Sequence, residues 1–253
     1  MSMSRLHQRE LKAFYAQKFS PWEVVQRGKD CRCSLDPMDP SSVKLAQTHY
    51  WDRVAGEKCF SHPLHLAWLK RHIRPEARIL DFGCGYGRTL SDLIRAGYEN
   101  VIGVDFSFGM LRCCRSRLPH VRLAQNDGQM IPVQKHSVDL VLLFAVLTCM
   151  PLNDDQRDLL SEVRRVLCSG GLLYISDLLL NRDPRNLQRY ERFAQQYGIY
   201  GTFELPDGAV TRHHRKEWIE ELTASFFQLE FEPLVVTTMN GNKSAAFQYL
   251  GRA

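Results

Sequence analysis

Between Ile79 and Arg88 the chain reads Ile-Leu-Asp-Phe-Gly-Cys-Gly-Tyr-Gly-Arg, with glycines at 83, 85 and 87. Glycine tolerates a tight turn and lets the backbone approach a ligand where a Cβ would collide. The N–H groups that open a following helix suit a carboxylate or a phosphate. Spacing narrows the choice of ligand. A dinucleotide fingerprint, G-x-G-x-x-G, would need glycine where Arg88 stands, and the Gly-Lys-Ser/Thr of a Walker loop is missing. What stands here is G-x-G-x-G, preceded by Asp81 two residues before the first glycine.

Such a loop works only if a strand and a helix hold it. Apolar, strand-like runs recur at 78–82, 100–104, 121–124, 138–144 and 171–180. Helical patterns fall between them at about 88–96, 108–117 and 154–168. Ser107 is placed as an N-cap of the second helix, and Asn153 with Gln156 predicts a capping box for the third. Gly170-Gly171 is expected to close that helix. Strands joined by helices of this length predict right-handed crossovers and a mainly parallel sheet. The pattern changes at the end: a helix over 215–226 precedes runs at 229–239 and 245–251, which flank Asn240-Gly241-Asn242, a strong hairpin signal. The expected fold is α/β, with a Rossmann-like seven-stranded sheet, helices on both faces and an antiparallel C-terminal hairpin. Residues 1–42 read as an N-terminal helical extension (a helix over 4–19, then a loop from 27) and 43–253 as the main domain. Helices near 43–55 and 63–73 would form a lid, and the polar segment 181–213 an inserted cap.

The Asp-x-Gly-x-Gly-x-Gly stretch resembles motif I of the class I S-adenosylmethionine (SAM) dependent methyltransferases, and the resemblance runs from about residue 50 to 180. It implies SAM as cofactor, S-adenosylhomocysteine as product, and a cofactor role for Asp81, Gly83, Gly85 and Gly87. Asp105, ending the second strand, matches the family's acidic residue that holds the ribose hydroxyls; a carboxylate accepts two hydrogen bonds from a vicinal diol. Phe106 follows it in the same site. Gln125 to Pro132 matches the adenine-contacting stretch and assigns that role to Asp127 and the backbone of Gly128. Phe144, ending the fourth strand, would line the methionine part. Arg165 to Leu172 matches the family's helix-to-strand turn, with Cys168-Ser169 where Lys-Pro is usual. Tyr50, His62 and His65 resemble lid residues of the small-molecule members, and Tyr50 is counted with the cofactor site.

The acceptor is less legible. The Asp/Asn-Pro-Pro-Tyr motif of amino-directed DNA and protein-glutamine enzymes is missing after Leu143. A small-molecule acceptor is therefore expected, methylated by in-line displacement, with oxygen the favoured atom. His213 and His214, near the end of the cap, are the candidate bases; as neighbours in sequence they point different ways, so at most one faces the site. Phe193, Tyr197, Tyr200 and Phe203 are candidates for an apolar acceptor wall. No metal is expected, since carboxylates and histidines lack ligand spacing. The eight cysteines include one C-x-C, Cys31 and Cys33, and form neither a zinc motif nor a disulfide framework, so reduced thiols in a cytoplasmic protein are expected. A formal charge of +5, from 33 basic and 28 acidic residues, is compatible with an acidic substrate or with RNA but demands neither, and with the basic residues scattered no nucleic-acid partner is expected; the longest apolar run, 140–150, falls far short of the ~20 residues of a membrane span. Two alternatives stay open: a SAM-binding partner or regulatory subunit without catalysis, and an RNA methyltransferase.

Overall fold

The computed structural model describes residues 40–58, 61–126 and 130–253. The expected helix over 4–19, Cys31 and Cys33, and both Asp127 and Gly128 lie outside the described residues. Residues 40–42, expected to end a loop, instead open α1 (Pro40–Arg53), with proline at a position where its missing N–H is no loss. After α2 (Leu66–His72) come β1 (Ile79–Phe82), α3 (Arg88–Arg95), β2 (Val101–Asp105), α4 (Phe108–Arg117), β3 (Arg122–Gln125) and β4 (Val138–Phe144). A 3₁₀ turn at Leu147–Cys149 leads into α5 (Asn153–Val166) and β5 (Leu167–Leu178). Then follow α6 (Pro184–Tyr197), β6 (Thr202–Glu204), β7 (Val210–Arg212), α7 (Lys216–Leu222), β8 (Phe227–Thr237) and β9 (Lys243–Arg252).

Seven strands form one sheet in the order β3-β2-β1-β4-β5-β9-β8. The pairs from β3 to β5 are parallel; β9 runs antiparallel to both β5 and β8. Strand β4 shows why the sheet needs helices on both faces. Val141 and Leu143 pack with Leu159 and Val163 of α5 and Ile219 of α7, while Leu140, Leu142 and Phe144 pack with Leu69, Leu90, Leu93 and Leu111 on the other side. Strand order reverses between β1 and β4, and the crevice beyond their carboxyl ends is where an open α/β sheet takes its ligand.

Ser107 caps α4 as expected, its hydroxyl accepting from Met110 N at 3.1 Å. The capping box at Asn153 does not form. Leu152 holds the N-cap position without a side-chain bond, because the Gln156 amide is drawn inward to the carbonyls of Leu147 (3.0 Å) and Met150 (2.6 Å). The end of α5 also differs. It stops at Val166, and Gly170 (φ +71°) with Gly171 lies inside β5. There the step from Leu167 to Leu172 pairs with the shorter step from Val138 to Leu140, a bulge that the glycines permit. The cap resolves into α6, with Asp183 as N-cap and Gly198 (φ +62°) at its end, and a separate two-stranded hairpin, β6–β7.

Candidate active site

Beyond β1 all three glycines of the loop take positive φ: +74° at Gly83, +52° at Gly85 and +84° at Gly87. At two of them the space is closed as well. A Cβ on Gly83 would stand 2.6 Å from Val146 Cγ2, and one on Gly87 would stand 2.5 Å from Cys114 Sγ. The loop is tied to β2 by the N–H groups of Gly83 and Cys84, both donating to the Val104 carbonyl (2.8 and 3.1 Å). Asp105 braces it from the side. One carboxylate oxygen accepts from Gly85 N and the other from Ser107 N, each at 2.8 Å. Burial still pushes the Asp105 pKa up to about 6, against the pull of those backbone bonds.

These residues face a cavity of about 570 Å³, bounded by Gly83, Gly85, Asp105, Phe106, Met110 and Phe144, among others. Its cover is α1, which contributes Gln47, Thr48 and Trp51. Gln47 Nε2 docks that helix by donating to the carbonyls of Cys149 (3.2 Å) and Val210 (2.5 Å), and two further sets of bonds hold it and the residues just after it. Asp52 accepts from Ser107 Oγ (2.7 Å) and Gly109 N (2.9 Å) at the start of α4. At the β6–β7 turn, Asp207 accepts from the Tyr50 hydroxyl (3.0 Å) and from Lys58 Nζ (2.9 Å).

A second cavity, of about 430 Å³, adjoins the first. Trp51, Ala145 and Cys149 bound both. Ala145 takes φ +55°, where only glycine and a few short polar residues are at ease, so strain sits at the common wall. The half-buried Cys149 thiol, its pKa raised by desolvation, donates to the Ala145 carbonyl at 3.4 Å. The rest of the second cavity comes from loops and the cap, and includes His62, Arg185, Arg189, Phe203 and His213.

A methyltransferase domain model matches residues 80–175 of the chain. That span begins in β1 and ends in β5, and so holds the glycine loop and Asp105. Over that span the chain carries a methyltransferase domain. Among curated proteins, the chain is 30% identical over 161 residues to a ubiquinone biosynthesis O-methyltransferase of Albidiferax ferrireducens (60% of this chain, 62% of that protein). It is 38% identical over 100 residues to a trans-aconitate 2-methyltransferase of Azoarcus sp. (39% of this chain, 38% of that protein). The chain thus spans less than two thirds of the length of either relative. A SAM-dependent methyltransferase structure from Methanosarcina mazei superposes with a TM-score of 0.68 at 21% identity, covering 73% of this chain and 96% of that one. A geranyl diphosphate C-methyltransferase from Streptomyces coelicolor gives 0.58 at 15% identity, covering 85% and 99%. These two likenesses concern the fold.

Within the methyltransferase domain, the structure brings Gly83, Gly85, Asp105, Phe106 and Phe144 together on the first cavity. Asn126 and Met130, which flank the segment containing Asp127 and Gly128, line it too. Three other expected cofactor residues stand off its surface. Gly87 is the N-cap of α3, and its missing side chain makes room for Cys114 of α4. Asp81 lies beneath the loop, 1% exposed, with Oδ2 buried and without a hydrogen-bond partner among the described residues, and its pKa is pushed up to about 7 by burial, against the Arg88 charge. Tyr50 turns its hydroxyl to Asp207, and its neighbour Trp51 takes the wall.

The two histidines are separated as well. His214 lines neither cavity. Its Nδ1 donates to the Leu178 carbonyl (3.1 Å), which leaves Nε2 to accept from the Gln156 amide (3.0 Å). This is a structural role, and burial drives its pKa down to about 3. His213 lines the second cavity, and its tautomer follows from its neighbours. The Asn181 amide nitrogen, whose orientation is set by Ala245 N donating to Asn181 Oδ1, and the Tyr190 hydroxyl both approach His213 Nδ1, at 3.3 and 2.6 Å, which makes Nδ1 the acceptor. The ring proton of His213 is therefore on Nε2. With its pKa driven down to about 3 by burial, the ring is a neutral N–H donor. His62 is neutral too, pushed down to about 4 by burial, with Nδ1 3.0 Å from Ser176 Oγ.

Sequence reasoning missed Trp51, Ala145, Cys149, Arg185 and Arg189. An aromatic pair at 50–51 marked the lid but not which member faces inward. Nothing in the local pattern signals the left-handed Ala145. Of the four aromatic residues singled out in the cap, Phe203 is the one that reaches a cavity wall.

Proposed function

We propose that this chain transfers the methyl group of SAM to a small-molecule acceptor held in the second cavity. The observation that carries this reading is the wall common to both cavities, Trp51, Ala145 and Cys149, at the carboxyl end of β4. A binding-only protein has no need of a second chamber there.

SAM supplies a methyl group made electrophilic by its sulfonium, and leaves as S-adenosylhomocysteine. The residues of the first cavity fit it. Asp105 has one N–H donor on each oxygen and spare lone pairs for a diol. The cradle at Gly83 is a place where a side chain would collide. Asp81, off the cavity surface, keeps beneath the loop a buried oxygen with no partner among the described residues. Asp127 and the Gly128 backbone keep the adenine role that the resemblance gives them. α1 excludes water from the reacting centre, and the cap orients the acceptor.

Oxygen is the favoured acceptor atom, a preference supported by the O-methyltransferase name of one relative. An acceptor that carries a proton would lose it to solvent, because His213 Nδ1 is engaged by the Tyr190 hydroxyl and burial pushes the His62 pKa down to about 4.

Calorimetric titration with SAM and S-adenosylhomocysteine, repeated on Asp105→Ala, tests the reading. Binding of both, weakened by about ten- to a hundredfold in the variant, is expected for the loss of charge-assisted hydrogen bonds. No binding by folded wild-type protein would sink it. Acceptors are then screened by S-adenosylhomocysteine release.

A further inference from the structure

The second cavity has a charge imbalance that the methyltransferase reading does not use. Arg185 and Arg189 stand one turn apart on α6, and both border the cavity. The acidic residue in the same wall, Asp207, is already engaged by Lys58 at 2.9 Å and by the Tyr50 hydroxyl. Asp183 reaches Arg185 only at 3.9 Å, while its oxygens accept from Asn186 as the cap of α6.

Arg189 is the more constrained of the two. Its guanidinium lies 3.9 Å from the centre of the Phe203 ring, and Nη2 donates to Asn186 Oδ1. Its Nε is buried and has no partner among the described residues. Burial and the neighbouring Arg185 charge both work against its ionised form, and its pKa is lowered accordingly. A guanidinium does not lose its proton in a protein. The relief available is an incoming anion, which would pair the fork and satisfy Nε. His213, locked as the Nε2–H tautomer, adds a neutral donor to the same cavity. Leu178, Leu205 and Phe203 supply apolar surface, and about 430 Å³ is within the range of small-molecule sites.

We propose that the acceptor is an organic anion, with an apolar body and a carboxylate or phosphate held by Arg185, Arg189 and the His213 N–H. The charged group serves as the handle, leaving the nucleophilic atom to meet the wall at Ala145. This inference rests on the methyltransferase reading above for the word acceptor, but the anion site can be measured without it.

The probes are benzoate, phenyl phosphate and the neutral benzamide, titrated calorimetrically into the full chain saturated with S-adenosylhomocysteine. At least one anion should bind at least about tenfold more tightly than benzamide, the ratio showing whether carboxylate or phosphate suits the fork. Arg189→Gln and Arg185→Gln should each weaken that anion severalfold or more. Arg189→Lys, which keeps charge but loses the fork, should fall between wild type and Arg189→Gln. Circular dichroism and S-adenosylhomocysteine affinity, both expected to match wild type, establish that the variants are folded. Equal affinity for benzamide and both anions, or anion binding indifferent to Arg189→Gln, overturns the proposal and leaves the cofactor reading intact. If S-adenosylhomocysteine itself fails to bind, the cofactor reading falls, and the same titrations on ligand-free protein still decide the anion site.

Discussion

Replacing Gly83 or Gly170 by alanine separates two effects that glycine motifs usually confound. Both glycines have φ near +70°: +74° at Gly83 and +71° at Gly170. Each alanine therefore meets the same left-handed penalty, ~1–2 kcal/mol, offset by ~0.4–1 kcal/mol from a less flexible unfolded chain. The surroundings differ. Around Gly170 a Cβ meets nothing within 4 Å, whereas at Gly83 it meets Val146 Cγ2 at 2.6 Å, in a wall of the cofactor cavity. Forcing a methyl into a packed site costs typically 1–3 kcal/mol. Gly170→Ala should lose roughly 0.5–1 kcal/mol and Gly83→Ala roughly 2–4 kcal/mol. At ~2–4 °C per kcal/mol for a domain of this size, scanning calorimetry resolves the two. Because Val146 borders the cavity, Gly83→Ala should also weaken S-adenosylhomocysteine binding, while Gly170→Ala, in a bulge of β5, should not. Adding Val146→Ala to Gly83→Ala removes the opposing methyl and should recover part of the excess loss, a coupling read from the double-mutant cycle. Equal destabilisation by the two glycine variants, or a cycle with no coupling, would refute the claim that Val146 closes the loop.

Two further outcomes follow from the lid and from His214. Asp207→Ala removes the carboxylate that holds Tyr50 and Lys58, so S-adenosylhomocysteine should dissociate faster in stopped-flow measurements; a rate equal to wild type would show that this carboxylate does not hold α1 over the cavity. His214 is depressed to about 3, so the stability gained by keeping it neutral is present above pH 6.5 and is lost as pH falls toward 3. His214→Gln, which breaks its buried bonds, should be less stable than wild type by ~1–3 kcal/mol at pH 7. That deficit should shrink by pH 5, because only the wild type carries the titrating ring; a deficit independent of pH in urea titrations would contradict the buried neutral state.

How much of this was legible depended on whether a residue's role is local. The alternating strands and helices were visible because period-two and period-3.6 patterns are properties of short windows, and Ser107 as a cap needs only its own next turn. The positions of Gly83, Gly85 and Asp105 could be read because the loop's demands on the backbone are met by residue type alone. Where the sequence misled, a distant partner had intervened. Gln156 fits a capping box by spacing, but Trp218 Nε1 donates to its carbonyl oxygen at 2.7 Å and holds the side chain in the interior. Gly170-Gly171 looks like a helix stop, but the pairing of β5 with β4 extends the strand back to Leu167. Gly87 belongs to the motif by spacing and serves packing against Cys114, which no pattern around residue 87 announces.

The acceptor side was hidden for the same reason. Its wall is assembled from α1, the turn after β4, α6 and the β6–β7 hairpin, segments spread from Trp51 to Ser244. α6 and the β6–β7 hairpin are close in sequence, but α1 and the turn after β4 lie far from them and from each other. The tautomer of His213 shows what this conceals. Taken alone, a histidine near a methyl-transfer site reads as a base. Asn181 and Tyr190, 32 and 23 residues away, turn it into a donor. A donor beside two arginines is suited to receiving negative charge, not to withdrawing a proton. The cofactor half of the site is therefore specified by residue identity in a short motif, whereas the acceptor half is specified by which hydrogen-bond partners the cap brings to each side chain. The chemistry of the proposed acceptor is to be sought in the arginines of α6 and not in the motif.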